Sequence, residues 1–300
     1  MSAAMTTTQP LTGPRTENVL KLRDGRILGY AEYGAADGRP LFMFHGFPGS
    51  RLEFAPGHEA ALRRGVRLIA PDRPGFGLST YLPRRRIFDW PGDVAELADA
   101  LGIERFGVAG LSGGGPYAAV CASRLPERVT VAGIVAGVGP LDRPGATDGM
   151  TPLNRLLFGV QRRLPPAGRA LIWAMGMVSA RLGERSIERL MRALPEADRR
   201  VLQRPEVRSA FMSDAREAFR QGARGAAHEN GLFVRPWGFR LEEIRVPVLL
   251  WQGEQDRNVP TEHGRYQAQA IPGCRATFYP DEGHMFVYDR MDEILGALTG

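Results

Sequence analysis

Ser112, Asp256 and His284 are far apart in this 300-residue chain, yet their types and settings suit one piece of chemistry. Ser112 stands in Gly110-Leu111-Ser112-Gly113-Gly114, between an apolar run over 105–111 and a helix-like run over 113–124. That is a G-x-S-x-G turn in the strand–turn–helix setting its mechanism requires. So sharp a turn needs neighbours with almost no side chain, and Gly110 and Gly114 supply them. Gly113 leaves a backbone N–H unobstructed beside the serine oxygen. A serine hydroxyl is a weak nucleophile at neutral pH, so it needs a base, and the base needs an orienting acid.

There are five histidines to choose from. His45 opens a loop motif, His58 falls in a helical stretch, His228 lies in a polar loop and His263 at a helix start. His284, in Asp281-Glu282-Gly283-His284, directly follows the last expected strand and would project from the same sheet edge as the turn. It is the expected base. Asp256, in the loop after the strand over 246–251, is the expected acid. Glu254 and Asp142 are alternatives, Asp142 because it follows the neighbouring strand. A developing oxyanion needs two donors placed in advance. The N–H of Gly113 is one, and the N–H of Phe47, in His45-Gly46-Phe47-Pro48, is assigned as the second. The His45 side chain itself is expected to be buried beneath the site.

These groups need strand ends to hold them. Runs at 19–22 and 27–33 flank Asp24-Gly25, a hairpin signal. Further strands are expected at 40–44, 66–70, 105–111, 129–138, 246–251 and 275–279, alternating with helices at 52–64, 90–101, 113–124, 261–270 and 285–298. Such alternation predicts a mostly parallel sheet with helices on both faces. The rhythm breaks at Gly139-Pro140. Residues 140–235 show no strand pattern and read as an inserted helical segment, with helices at 152–163, 167–182, 184–194 and 206–226. The expected division is a disordered tail over 1–18, a core over 19–139 and 236–300, and the insertion over 140–235.

Composition narrows the function. An apolar fraction of 43% and a charged fraction of 24% are those of an ordinary globular protein. Cys121 and Cys274 form neither a disulfide framework nor a metal-ligand spacing. Residues 1–18 lack the apolar stretch of a signal peptide, so the expected location is the cytoplasm. No membrane span, nucleic-acid motif, metal or cofactor is expected, and the partner is a small-molecule substrate. Oligomeric state has no signature. Net charge is +6, with Lys21 the only lysine. From Asp142 to Arg235, 17 arginines face 10 acidic residues. This excess reads as solvated helix faces. The rival reading is attraction for an acidic substrate.

Five motifs together resemble the α/β-hydrolase superfamily: His45-Gly46-Phe47-Pro48, the run from Pro71 to Ser79, Gly110 to Gly114, Gly253-Glu254-Gln255-Asp256 and Gly283-His284-Met285. The resemblance covers roughly 25–298 and implies an eight-stranded sheet with a helical lid over the site. Ser112 stands where dehalogenases and epoxide hydrolases carry an aspartate nucleophile. No tyrosine occurs between Tyr117 and Tyr266 to activate an epoxide oxygen. The resemblance therefore implies a serine hydrolase acting on small, largely apolar carboxylic esters. Carbon–carbon bond hydrolysis and cofactor-free peracid formation are alternatives on the same residues. A slow, ligand-sensing homologue is an alternative of another class. Apolar residues of the insertion, among them Leu157, Phe158, Ile172, Trp173 and Met175, are expected to pack it on the core, with a few facing the substrate.

Overall fold

Strand β3 (Arg39–Phe44) sends Leu41 and Met43 to one side of a sheet and Phe42 and Phe44 to the other, and none of the four is exposed. A strand buried on both faces needs a helical layer on each. The computed structural model, which describes residues 13–179 and 194–300, supplies both layers around one eight-stranded sheet. Its remaining strands are β1 (Arg15–Lys21), β2 (Ile27–Gly34), β4 (Val66–Pro71), β5 (Phe106–Leu111), β6 (Val129–Val135), β7 (Val248–Gly253) and β8 (Arg275–Tyr279). They lie in the order β1-β2-β4-β3-β5-β6-β7-β8. β2 pairs antiparallel with both neighbours, and every other pairing is parallel.

Helices α2 (Trp90–Ala100) and α3 (Gly115–Arg124) pack Trp90, Val94, Leu97, Tyr117 and Val120 on the face of Phe42 and Phe44. Helix α1 (His58–Arg63) and the last helix, α10 (Val287–Thr299), cover the opposite face through Ala60, Ala61, Ile294, Leu295 and Leu298. Between β6 and β7 the described residues form α4 (Pro152–Arg163), α5 (Pro165–Ser179), α6 (Glu196–Leu202), α7 (Pro205–Ala218) and α8 (Arg224–Phe233), with no strand. Helix α9 (Thr261–Ala270) follows β7. No helix among the described residues is long and apolar enough to cross a membrane.

Several boundaries differ from the sequence reading for local reasons. Residues 15–18, expected in the tail, belong to β1. There the Thr16 carbonyl accepts from Arg51 Nε and the Glu17 carboxylate pairs with Arg51 at 2.7 Å, so polar residues make an edge strand without an apolar signal. The helix over 52–64 becomes a 3-10 turn (Arg51–Gly57) followed by α1, since Pro56 offers no N–H to a continuous helix. The helix over 206–226 is two helices, broken where Gly222 takes a φ of +85°. β6 stops short of 138 because Ala136 turns to a φ of +46°. The helix expected over 184–194 lies outside the described residues.

The turn after β5 is the tightest part of the frame. A Cβ at Gly110 would overlap the Gly114 carbonyl and come within 2.7 Å of Gly115 N, all of it backbone that has no room to retreat. Gly110→Ala is therefore expected to cost about 1–3 kcal/mol by overpacking. A thermal melt reads this as a drop of several degrees, whereas an unchanged midpoint would show that the turn can relax.

Candidate active site

β5 ends directly in the serine turn. Ser112 has a φ of +53°, a conformation an L-residue adopts only under constraint. The constraint comes from both sides: β5 pairs with β3 and β6, and the Ser112 carbonyl accepts the Val138 N–H at 2.9 Å. Gly113 and Gly114 follow in a single 3-10 turn before α3 begins at Gly115, so the first N–H groups of the turn point away from any intrahelical acceptor.

β7 and β8 end at the same sheet edge and bring Asp256 and His284 together. His284 Nδ1 lies 2.6 Å from Asp256 Oδ2. Asp256 is held rigidly in turn: its Oδ1 accepts the Asn258 and Val259 N–H groups, both at 2.8 Å, and its Oδ2 accepts Gln252 Nε2 at 3.2 Å. With Nδ1–H donated to the carboxylate, Nε2 is the free ring nitrogen. Burial lowers the His284 pKa, but Asp256, and then Asp198 and Glu53, raise it above the ordinary value. Among the described residues no hydrogen bond joins Ser112 Oγ to His284. Asp142, the alternative acid, makes no bond to His284. It lines a separate cavity with Arg143, Trp237 and Tyr266.

The loop after β3 reaches over the serine turn. A Cβ on Gly113 would fall 3.2 Å from Phe47 N, and one on Gly46 would fall 3.5 Å from Ser112 Cβ. Arg73 sets the direction of this loop. Its Nη1 donates to the His45 carbonyl at 2.5 Å and its Nη2 to the Gly46 carbonyl at 2.8 Å. In a trans peptide the Gly46 C=O and the Phe47 N–H point opposite ways, so fixing the carbonyl on Arg73 turns that N–H away from it. The Phe47 N–H has no backbone acceptor among the described residues. His45 is fully buried and neutral: its Nε2 accepts the Arg73 N–H at 3.1 Å and its Nδ1 faces the Gly46 carbonyl at 2.9 Å. Burial, followed by the charge on Arg73, pushes its pKa well down.

Sequence reasoning missed several groups around these residues. Glu229, on α8, is fully buried and accepts from Arg73 at 2.6 Å, Arg85 at 2.5 Å and the Tyr117 hydroxyl at 2.8 Å. Glu53 accepts the Gly46 N–H at 2.5 Å through Oε2, while its Oε1 would lie 3.1 Å from a Gly46 Cβ. Burial raises the Glu53 pKa to about 7, against the pull of the Gly46 N–H, Arg73 and His284. Asp214, on α7, accepts both the Ser50 N–H and the Ser50 hydroxyl at 2.7 Å. Asp198, on α6, accepts the Met285 N–H at 2.8 Å. An aromatic wall closes one side: Phe47 and Phe233 meet edge-on at 5.2 Å, Phe158 and Phe233 at 6.3 Å, and Phe233 Cζ would stand 3.2 Å from a Gly113 Cβ. Leu157 and Ile172 are buried as expected of the insertion, whereas Leu153, Leu156, Trp173 and Met177 are exposed. The remaining histidines are structural: Gly34 N–H donates to His58 and Gly139 N–H to His263, both at 3.0 Å, and His228 Nε2 sits 2.9 Å from the Arg85 carbonyl. Among the described residues no cluster of three His, Cys, Asp or Glu side chains could hold a metal ion.

Residues 39–290 match a family model described as the alpha/beta hydrolase fold, and the chain belongs to that family. The dihydrolipoyllysine-residue acetyltransferase component of the acetoin cleaving system of Cupriavidus necator is 29% identical over 278 residues, 92% of this chain. The chain spans 66% of that relative's length. A bifunctional esterase/perhydrolase of Acinetobacter calcoaceticus is 26% identical over 280 residues, covering 87% of this chain and 91% of the relative. An esterase structure from Exiguobacterium antarcticum superposes with a TM-score of 0.65 at 20% identity, over 94% of this chain and 97% of that one, and so shares the fold.

Burial on its own would raise the Glu229 pKa, but Arg73 and Arg85 bring it down to about 2. The carboxylate therefore contributes stability that is present above the ordinary range of a glutamate, near 4.5, and is lost as pH falls through about 2. Glu229→Gln leaves two buried guanidinium groups short of their counter-charge and is expected to cost about 3–5 kcal/mol in urea unfolding. A loss below about 1 kcal/mol would mean that water or another acid replaces it.

Proposed function

We propose that the protein is a serine hydrolase that cleaves small, largely apolar carboxylic esters through an acyl-enzyme. The observation that carries this reading is the 2.6 Å contact between His284 Nδ1 and Asp256, at the same sheet edge as the strained Ser112 turn. In the proposed cycle His284 Nε2 takes the Ser112 Oγ proton as Oγ attacks the ester carbonyl. The same proton then passes to the departing alkoxide. Water, activated by His284 in the same way, releases the acid. Asp256 holds the imidazole in the tautomer that leaves Nε2 free, and stabilises the imidazolium. The N–H groups of Phe47 and Gly113 receive the oxyanion. The aromatic wall of Phe47, Phe158 and Phe233 supports an apolar acyl or alcohol group. We further propose that the helices of 140–235 act as a lid over this site.

An acidic substrate fits less well. Among the described residues, the charges that His284 feels most after Asp256 are the carboxylates of Asp198 and Glu53. Peracid formation is a second reading, favoured by the esterase/perhydrolase relative. It would use the same acyl-enzyme with hydrogen peroxide in place of water. Both readings require Ser112, so a panel of short-chain esters, with and without peroxide, separates them.

Ser112→Ala is expected to remove nearly all ester turnover, and wild-type turnover in that variant would sink the proposal. Asp256→Asn is expected to lower kcat by about 10⁴ through the wrong imidazole tautomer. A larger loss in Asp142→Asn would reassign the acid. The pH profile carries two signs. Turnover needs neutral His284, whose pKa is raised, so the acid limb of kcat/KM should lie above 6.5 and move down when Asp256 is neutralised. Glu53 ionises at about 7 beside the loop that receives the oxyanion, and its negative charge opposes that oxyanion. An alkaline fall in kcat/KM is therefore expected, and Glu53→Gln should abolish it. An unchanged alkaline limb in that variant would show that Glu53 plays no such part.

A further inference from the structure

Five arginines, two of them (Arg169 and Arg235) from the segment 140–235, line a cavity that does not include Ser112, Asp256 or His284. This cavity, of ≈ 850 Å³, lies between residues 81–88, helix α5, the end of α8 and residues 235–238. Arg84, Arg86, Arg169 and Arg235 line it, and no aspartate or glutamate does. Arg86 is paired with Asp89 at 2.8 Å. Arg84, Arg169 and Arg235 are exposed and make no ion pair among the described residues. Ile87, Phe88, Leu232 and Trp237 provide an apolar floor. The Trp237 side chain is only 6% exposed, and its Nε1–H has no hydrogen-bond partner among the described residues. Arg85 and His228 also line the cavity, but both are committed elsewhere: Arg85 to Glu229 and Tyr117, His228 to Tyr81 and the Arg85 carbonyl.

Three exposed cations with no counter-ion among the described residues, over an apolar floor, suit an anion with an apolar body. Guanidinium forks match a planar carboxylate bidentately. The volume is that of a site for a drug-sized molecule. Arg84 adds a second sign of use. It holds a φ of +60°, where glycine would sit without strain, so the loop keeps a charged side chain at a position that disfavours any side chain. We propose that this cavity is a binding site for an organic carboxylate carrying an aromatic or similar apolar body, separate from the Ser112 site.

The test is isothermal titration of the full chain with 2-naphthoate at low salt. One equivalent is expected to bind, with affinity falling as salt rises. The neutral analogue 2-naphthylmethanol should bind roughly tenfold or more weakly, because it offers nothing to the arginines. The double variant Arg169→Glu/Arg235→Glu should lose roughly tenfold or more in naphthoate affinity while keeping wild-type ester turnover. Arg84→Gly separates binding from folding: its thermal midpoint should hold or rise, since strain is relieved, while naphthoate binding weakens. No heat of binding up to millimolar naphthoate would overturn the proposal. So would undiminished affinity in the double variant. Inorganic phosphate displacing naphthoate at equal affinity would also overturn it, since the apolar floor would then contribute nothing.

Discussion

The pairing of Glu229 with Arg73 is the interaction on which the site's geometry rests. Both side chains are fully buried, and two buried charges are tolerable only when every lone pair and proton finds a partner. The requirement is largely met, with Arg85 Nε left without a partner among the described residues. Glu229 accepts from Arg73, Arg85 and Tyr117. Arg73 spends its remaining donors on the carbonyls of His45 and Gly46. One carboxylate on α8 thus ties together the loop after β4, helix α3 and the loop after β3. Because the Gly46 carbonyl is captured, the peptide that follows it has a fixed orientation, and the Phe47 N–H is aimed by a charge it never touches. For the oxyanion role proposed for that N–H, preorganised donors are worth most when nothing has to turn, and this network removes that freedom.

The helical insertion is fastened by its acids. Asp198 accepts from the Met285 backbone, Asp214 from Ser50, Glu217 from Arg51 and Glu229 from Arg73. Each contact lands on a segment that follows the end of a sheet strand. With these carboxylates turned inward, most of the segment's arginines among the described residues face outward, so its surface is more basic than its sequence. The net charge of a stretch of sequence therefore says little about the field at the side chains it packs against. Here the two have opposite signs: the stretch is basic, while His284 stands among Asp256, Asp198 and Glu53.

What the sequence made legible was whatever has a short-range signature. The serine turn, the hairpin at Asp24-Gly25 and the strand-end loops holding Asp256 and His284 depend on neighbours within a few residues, and glycines mark them. The alternation of apolar runs with helical spacing foretold the sheet and its two helical layers. Glu229, Glu53, Asp214 and Phe233 left no such mark. For the two acids of the helical segment the partners are far off in the chain: Glu229 lies 156 residues from Arg73 and Asp214 lies 164 from Ser50. A buried acid and a solvated one look alike in sequence until the chain closes. β1 was hidden for the opposite reason. Its Arg15-Thr16-Glu17-Asn18 start is polar because an edge strand exposes alternate residues, and its partner is a buried arginine rather than an apolar core.

Two independent constraints meet at Ser112. From below, the sheet holds the serine in a left-handed conformation, with β3 and β6 on either side of β5 and the Val138 N–H on its carbonyl. From above, the ion network fixes the loop that carries Phe47. The first depends on backbone packing too tight for any Cβ at Gly110 or Gly114, and the second on buried charge. They respond to different perturbations: added side-chain volume strikes the turn, and loss of charge strikes the loop. Glu53 is where the two touch, since its carboxyl binds the Gly46 N–H on the face of Gly46 that also looks toward Ser112. Burial lifts the Glu53 carboxyl to about 7, and its bond to Gly46 sets that carboxyl beside the serine turn.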